Sequence, residues 1–540
     1  MLWALGGYFL LSLTVGWLGR QRTRGTVEGY FAANRQLPWG LAALSMVATT
    51  FAVDTPLAIT EYVREGGLAA NWRWWNMLIG GMLSVVVFAP LWRRSGVLTD
   101  SEILSIRYGD KPAELLRRIR ALWLGGFINL IILGWVQTAM RTVLEAFVGL
   151  TSQQSYILLA VSTFVTLLYT VIGGLWSVVW TDAIQLILAL SSTTLLMIRV
   201  LGAVDMRAVP EAAWQLLPGG ENWGFLTLVA LIGLQWWASW YPGAEPAGGG
   251  YILQRMASTP SPLAAQRALA LFQVLHYAVR PVTWYAVALA SIVLLPNLSD
   301  SKTAYLLMAR KFLSPPEQIM LLIGLTGAYM STLSTHFNWG ASYIARDLGL
   351  SESRALNAGL WGTIALAGLS IAVVPFMTSV AGAWNFLLES GAGTGFVLLL
   401  RWFWKRLSIW SEITALIAPM VGYAIFRWGM GWVFPESYIA TVGFTVASVV
   451  LVTLSGKGTP TERWERFRLQ VRPQLSWREI AIWLLGVSSG YAITFGLIWW
   501  IKEGAFPLTV LLGCVGMGVF FWLLQVGERG MGKGAGDGLS

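Results

Sequence analysis

The chain has 540 residues, 56% of them hydrophobic and 12% charged, with a mean hydropathy of +0.61. Soluble domains carry about 25% charge, and surface-to-volume scaling would demand a polar shell that this chain cannot supply. A water-soluble enzyme, a disordered chain and a disulfide scaffold (there is one cysteine, Cys514) are therefore excluded, leaving an all-α polytopic membrane protein. A span needs about 20 apolar residues. That length predicts about 15 transmembrane helices, near 2–19, 38–62, 73–92, 120–148, 153–172, 174–199, 223–241, 268–295, 316–344, 356–376, 379–402, 407–427, 437–455, 479–501 and 505–526.

The first run lacks a basic leader and a small-residue cleavage site, and Arg20, Arg22 and Arg24 follow it. It reads as a first span with the N-terminus outside. Alternation from that start puts most of the 37 Lys and Arg into inside segments and the C-terminus inside, as the positive-inside rule requires. The net charge of +10 is then a loop signature, with no nucleic-acid partner implied. The implied location is the plasma (inner) membrane, with lipid as a partner. Residues 456–477 read as a basic linker on the membrane surface, and the Gly-rich 527–540 as a disordered tail. Many of the 31 Trp sit at span ends, where an interfacial belt needs them. Those in mid-span require another reason.

Two spans read as broken. The second combines Asp54 and Pro56 at mid-depth, and the seventh runs into Trp240-Tyr241-Pro242-Gly243. Interrupted helices at matching places in two halves point to a transporter site built on inverted repeats. In the ninth span, Ala328, Ser331 and Thr332 are spaced i, i+3, i+4 and share a helix face. One carbonyl and two hydroxyls there converge on a point suited to a hard cation that wants oxygen ligands. Unwinding of the second span would add the carbonyls of Ala48 and Phe51. The competing use of such hydroxyls is a bond back to the i−4 carbonyl.

Intramembrane charge is expensive and marks function or a structural ion pair. Asp54, Asp182, Arg141, Arg280 and Glu389 are the candidates, together with the only histidines, His276 and His336. No histidine cluster has metal-ligand spacing. There is no nucleotide-binding or hydrolase motif, so the expected protein is not an enzyme and its work is driven by an ion gradient.

Gly173-Gly174-Leu175-Trp176-Ser177-Val178-Val179-Trp180-Thr181-Asp182-Ala183-Ile184-Gln185, Ser45-Met46-Val47-Ala48-Thr49-Thr50 with Gly66-Gly67, and Ala328 to Thr332 with Asn338 and Asp347 together resemble the sodium:solute symporter family. The resemblance implies a LeuT-type core of five-plus-five inverted repeats. It implies a leading helix and loop at 1–36, a first repeat at 37–200, a second at 201–406 and extra helices at 407–526. It implies Na+ on Ala48, Phe51, Ala328, Ser331 and Thr332, with Asp182 on the ion's exit path.

The expected activity is sodium-coupled import of a small polar organic solute by alternating access. Proton coupling, or a solute sensor without a catalytic domain, are the alternatives. The solute pocket is expected at Asp54, Thr55, Trp75, Trp236, Trp237, Trp240 and Asn385. Trp74-Trp75-Asn76 stands where sugar-transporting relatives have an acid, and Leu388 where they have an amide. An amine-bearing or zwitterionic solute is therefore as credible as a sugar.

Overall fold

The computed structural model describes residues 2–23, 25–217, 224–239, 247–377 and 380–534. All its regular structure among these residues is helical. The principal helices are α1 (Leu2–Gly19), α2 (Trp39–Phe51), α3 (Thr55–Gly66), α4 (Leu68–Ser95), α5 (Lys111–Val148), α6 (Ser152–Leu201), α7 (Phe225–Ala238), α8 (Gly250–Ala257) and α9 (Pro262–Leu294). They continue with α10 (Pro315–Asp347), α11 (Glu352–Ala372), α12 (Val380–Ser390), α13 (Ile409–Gly429), α14 (Glu436–Ser455), α15 (Thr461–Val471), α16 (Trp477–Glu503) and α17 (Leu508–Gly534). Among the described residues, length and hydropathy alone pick out nine membrane-crossing helices, or ten with α2 and α3 as one bent span. The expected fifteen is thus not reproduced by that criterion.

The local chemistry explains the main breaks. The α2–α3 pair bends by 58° because Ala52 takes a left-handed φ of 34° and Pro56 lies in the first turn of α3. Proline supports a helix start but cannot continue an existing ladder. Helix α6 has 50 residues, about 75 Å at 1.5 Å per residue, against an apolar slab of about 30 Å. It therefore crosses twice, turning at Gly174, where φ is 52° and ψ −144°. A Cβ there would lie 2.5 Å from the Tyr30 carbonyl oxygen. The turn is clamped by Thr23 donating to Gly173 O at 2.6 Å, Tyr30 to Thr170 O at 2.8 Å, and Ser177 to Gly16 O.

Helix α10 starts on a Ser314/Glu317 capping box and is buried over most of its length. It packs against α2, α5, α6 and α11, forming the axis of the molecule. Helices α16 and α17 pair with each other and lean on α4, where Trp483 donates to Ile79 O at 2.9 Å and Tyr491 to Trp75 O at 2.9 Å. Leu511, Leu512 and Val515 stay more than half exposed on the outer side of α17, as lipid contact requires. The basic segment 461–471 forms α15, which buries Trp464, Phe467 and Val471 and leaves its charges in solvent.

Candidate functional site

The open end of α2 is the centre of the site. A helix terminus leaves its last carbonyls without intrahelical partners, and Ala52 gives no capping bond. Other elements take up some of these groups. Arg280 of α9 donates to Val47 O at 3.0 Å and to Thr50 O at 2.7 Å. Thr332 of α10 donates to Thr49 O at 2.9 Å. The carbonyls of Ala48 and Phe51 receive no side-chain bond among the described residues. Both residues are buried, as are Ala328, Ser331 and Thr332.

Asp182, in the second half of α6, lies beneath this point and is fully buried. Ser45 of α2 donates to its Oδ2 at 2.5 Å, and Ser331 of α10 to its Oδ1 at 2.7 Å. Arg255 of α8 stands 3.9 Å from the same carboxylate. Arg255 also donates to Ser45 Oγ at 3.2 Å, Gln254 Oε1 at 2.7 Å and Thr335 Oγ1 at 2.6 Å. The hydroxyls of Thr335 and Thr49 share a bond of 2.7 Å. One buried anion thereby ties together α2, α6, α8 and α10, with its charge opposed by Arg255 and its oxygens occupied.

The α10 hydroxyls bond both within their own helix and across to α2 and α6. Thr332 bonds back to Ala328 O at 3.0 Å while reaching Thr49 O. Ser331 spends its proton on Asp182. A hydroxyl that donates its single proton keeps two lone pairs, which are what a cation requires.

A cavity of about 440 Å³ opens beside these groups. Its walls include Thr49, Thr50, Ala52, Asp54, Thr55 and Thr332. Trp74, Trp135, Tyr251, His276, His336 and Trp384 complete an aromatic lining. His276 Nδ1 shares a bond of 2.8 Å with Thr50 Oγ1, and His336 Nδ1 one of 2.6 Å with Asn129 Oδ1. Two further cavities, of about 650 and 440 Å³, adjoin it. The first is lined by Arg73, Gln235 and Glu389, the second by Asp54, Glu61 and Lys302. Trp384 lines all three, so its indole is a shared wall.

The expected solute residues divide. Asp54 and Thr55 face the cavity. Trp75 does not: it is 1% exposed, donates to Tyr285 Oη at 2.8 Å and packs on Trp72 and Phe495. Its neighbour Trp74 takes the cavity wall instead, because α4 turns the adjacent residue inward. Trp236 packs on Trp483 of α16, and Trp237 lies in an apolar cluster with Tyr438 and Val442 of α14. Trp240 and the side chain of Asn385 fall outside the described residues. Arg141 forms a local pair with Glu145 at 2.9 Å, and Glu389 accepts from Ser437 at 3.1 Å. Trp74, Trp135, Tyr251 and Trp384 were not singled out from the sequence. Of these, only Trp135 stands in the middle of an expected span, away from any interface.

A bent helix whose open end meets a hydroxylated helix above a buried acid, beside an aromatic-lined cavity, defines a secondary transporter of LeuT-type fold. The fold likeness is direct. A solved Na+-coupled sialic acid symporter in a substrate-bound outward-open state superposes with a TM-score of 0.69 at 18% identity, covering 85% of this chain and 98% of that one. The sodium:solute symporter family profile matches residues 30–422, and the chain belongs to that family. The sodium/glucose cotransporter of Vibrio parahaemolyticus is 24% identical over 83% of this chain and 89% of its own length. Sodium/glucose cotransporter 1 of Oryctolagus cuniculus is 31% identical over 33% of this chain and 26% of its own length. The protein is a multi-pass membrane symporter that couples solute movement to sodium.

Proposed function

We propose that the coupling Na+ binds between the open end of α2 and the hydroxyl face of α10. Its ligands are the carbonyls of Ala48, Phe51 and Ala328 and the hydroxyls of Ser331 and Thr332. The observation that carries this reading is the 2.9 Å bond from Thr332 to Thr49 O, which sets the α10 hydroxyls against the unwound turn. The arriving ion replaces the Thr332–Ala328 bond, so the site is spring-closed without it. Ser331 keeps its proton on Asp182 and offers lone pairs to the ion.

Asp182 is the next oxygen cluster along the ion's way out, and it receives the ion when Ser45 and Arg255 release it. Drawing α2 and α10 together closes the cavity beside them, which makes the solute site and the ion site one cooperative unit. A coupling of about 1–3 kcal/mol gives roughly 5–150-fold effects of sodium on solute affinity, and the same effect of solute on sodium. The solute is a small polar organic molecule held at Asp54 and Thr55. Trp75, Trp236 and Trp237 shape the surrounding helices. The net reaction is import by alternating access, with no bond made or broken in the solute.

The two repeats run over 37–200 and 201–406, after a leading segment at 1–36 and before added helices at 407–526. The basic segments face the cytoplasm, which puts the N-terminus outside and the C-terminus inside the plasma membrane. The test is sodium binding and solute counterflow by protein reconstituted in liposomes. Ser331→Ala and Thr332→Ala each raise the sodium concentration for half-maximal uptake by about fivefold or more, as loss of one oxygen ligand should. Uptake indifferent to sodium, or unaltered in both variants, would refute the site.

A further inference from the structure

The central cavity contains three polar groups without a hydrogen-bond partner among the described residues. Asp54 is 3% exposed, and its Oδ1 has no hydrogen-bond partner among the described residues. The indole nitrogens of Trp74 and Trp384 are buried and likewise unpartnered. All three residues line the same space. Buried polar groups are nearly always hydrogen-bonded, and each orphan costs about 1–3 kcal/mol. Three orphans on one wall describe the complement of something that binds there.

The signs of these groups set the chemistry. Asp54 Oδ1 needs a donor, and the two indole N–H groups need acceptors. Of the cations around Asp54 among the described residues, Lys302 lies on the adjoining cavity and Arg280 on α9. Arg280 is committed to the α2 terminus through Val47 O and Thr50 O, and it forms no ion pair with Asp54. Its guanidinium is further held over the rings of Phe51, Trp74 and Trp284 at 5.2–5.8 Å. A neutral hydroxyl placed on Asp54 would satisfy Oδ1 but leave the carboxylate without a direct ion pair, whereas an ammonium would supply one. The walls of Trp74, Trp135, Trp384 and Tyr251 also suit a cation through their ring faces.

Resting on the symport reading, we infer that the solute carries a protonated amine, held by Asp54, and an oxygen acceptor held by the indole N–H groups of Trp74 and Trp384. An amino-acid-like zwitterion or an amino alcohol has both, and an aldohexose lacks the first. The rings of Trp74 and Trp384 stack 6.5 Å apart at an interplanar angle of 19°, so the two indoles form one wall of the cavity. Asp54 also lines the adjoining cavity with Glu61 and Lys302. The carboxylate is thus exposed to the amine on the approach as well as at the destination.

The experiment uses full-length protein in nanodiscs and reads intrinsic tryptophan fluorescence with and without sodium. The probes are the amino acids, ethanolamine, lactate, glucose and galactose. At least one amine-bearing probe quenches in sodium, while lactate and the two sugars do not. Asp54→Asn weakens that probe about tenfold or more, and Trp384→Phe about threefold, in line with a charged and a neutral hydrogen bond. Both variants keep the sodium-dependent thermal shift of the parent protein, which shows that they fold and that the ion site is intact. Silence of every amine-bearing probe, quenching by the sugars, or unchanged amine affinity in Asp54→Asn overturns the inference. So does loss of the sodium shift in Asp54→Asn, which would make Asp54 an ion ligand. Loss of that shift in Ser331→Ala tests the ion site separately.

Discussion

Two of the polar regions in this apolar bundle are built on opposite plans. At the ends of α5 and α10, and along the segment 98–107, every carboxylate is paired. Asp347 accepts from Arg117 at 2.6 Å and Thr99 at 2.7 Å. Glu102 meets Arg346 at 2.5 Å and Arg117 at 3.5 Å. Asp100 takes the Tyr343 hydroxyl at 2.7 Å, and Glu412 lies within 3.7 Å of both Arg120 and Arg401. In the central cavity, Asp54 Oδ1 and two indole N–H groups have no partner among the described residues. The first region fastens helix ends to one another. The second is complete only with a ligand, since an unfilled polar network costs more than an apolar wall.

The strongest test of this contrast compares one acid from each region. Asp347 has a fully buried side chain, and Asp347→Ala removes the 2.6 Å partner of Arg117 and the acceptor of Thr99. Removing one member of a buried pair costs about 3–5 kcal/mol, so a large drop in melting temperature is expected in solute-free protein. Asp54→Asn removes an unpaired buried charge and is expected to leave that temperature unchanged or raise it. Equal destabilisation by the two would break the distinction and make Asp54 structural.

A second expectation concerns the frame that holds Asp182 in place. Gly174→Ala combines a left-handed φ with a Cβ placed against Tyr30 O. Strain of that kind costs about 1–3 kcal/mol. It also moves the half of α6 that presents Asp182, so sodium affinity falls together with stability. A melting curve and a sodium titration on the same sample read both. Loss of stability with sodium affinity intact would show that the turn and the acid are independent.

The sequence exposed the hydroxyl face of α10, the acid on α6 and the break at Asp54–Pro56, because each violates the apolar rule of a span. It also exposed the leading helix and the paired C-terminal helices through hydropathy alone. It misplaced Trp75 for Trp74. Two adjacent residues on a helix point about 100° apart, and an all-apolar helix carries no polar stripe to fix its rotation. It missed Trp135 and Trp384 for the same reason: a tryptophan packed on lipid and one lining a cavity look alike along the chain. Arg280 was visible as an intramembrane charge, but its task was not. Its partners are backbone carbonyls on a helix more than 200 residues away, freed by a φ value at Ala52 that no residue type announces.

A third expectation separates the two hydroxyls of α10. Thr332→Ser keeps the oxygen and loses a methyl group, so sodium dependence stays near that of the parent. Thr332→Val keeps the shape, loses the oxygen and removes the bond to Thr49 O. A net hydrogen bond is worth about 1 kcal/mol, and sodium affinity should fall about fivefold. If Ser and Val behave alike, the residue packs α10 against α2 and does not touch the ion.

The smallest effect is expected where a charge pair lies outside both regions. Arg141 and Glu145 are four residues apart on α5, at 2.9 Å, and each is about one-third exposed. Such a pair contributes about 0.2–0.5 kcal/mol, and Arg141 keeps Tyr156 as a second contact at 3.2 Å. Glu145→Gln should therefore shift the melting temperature by little more than the error of the measurement and leave uptake intact. This outcome is informative because Arg141 is an intramembrane charge by position, like Arg280 and Asp182. A large loss of uptake would mean that position in a span, rather than the state of a group's partners, marks the working charges. A negligible one assigns that distinction to burial and pairing, which is what sets Asp54 apart from the other acids.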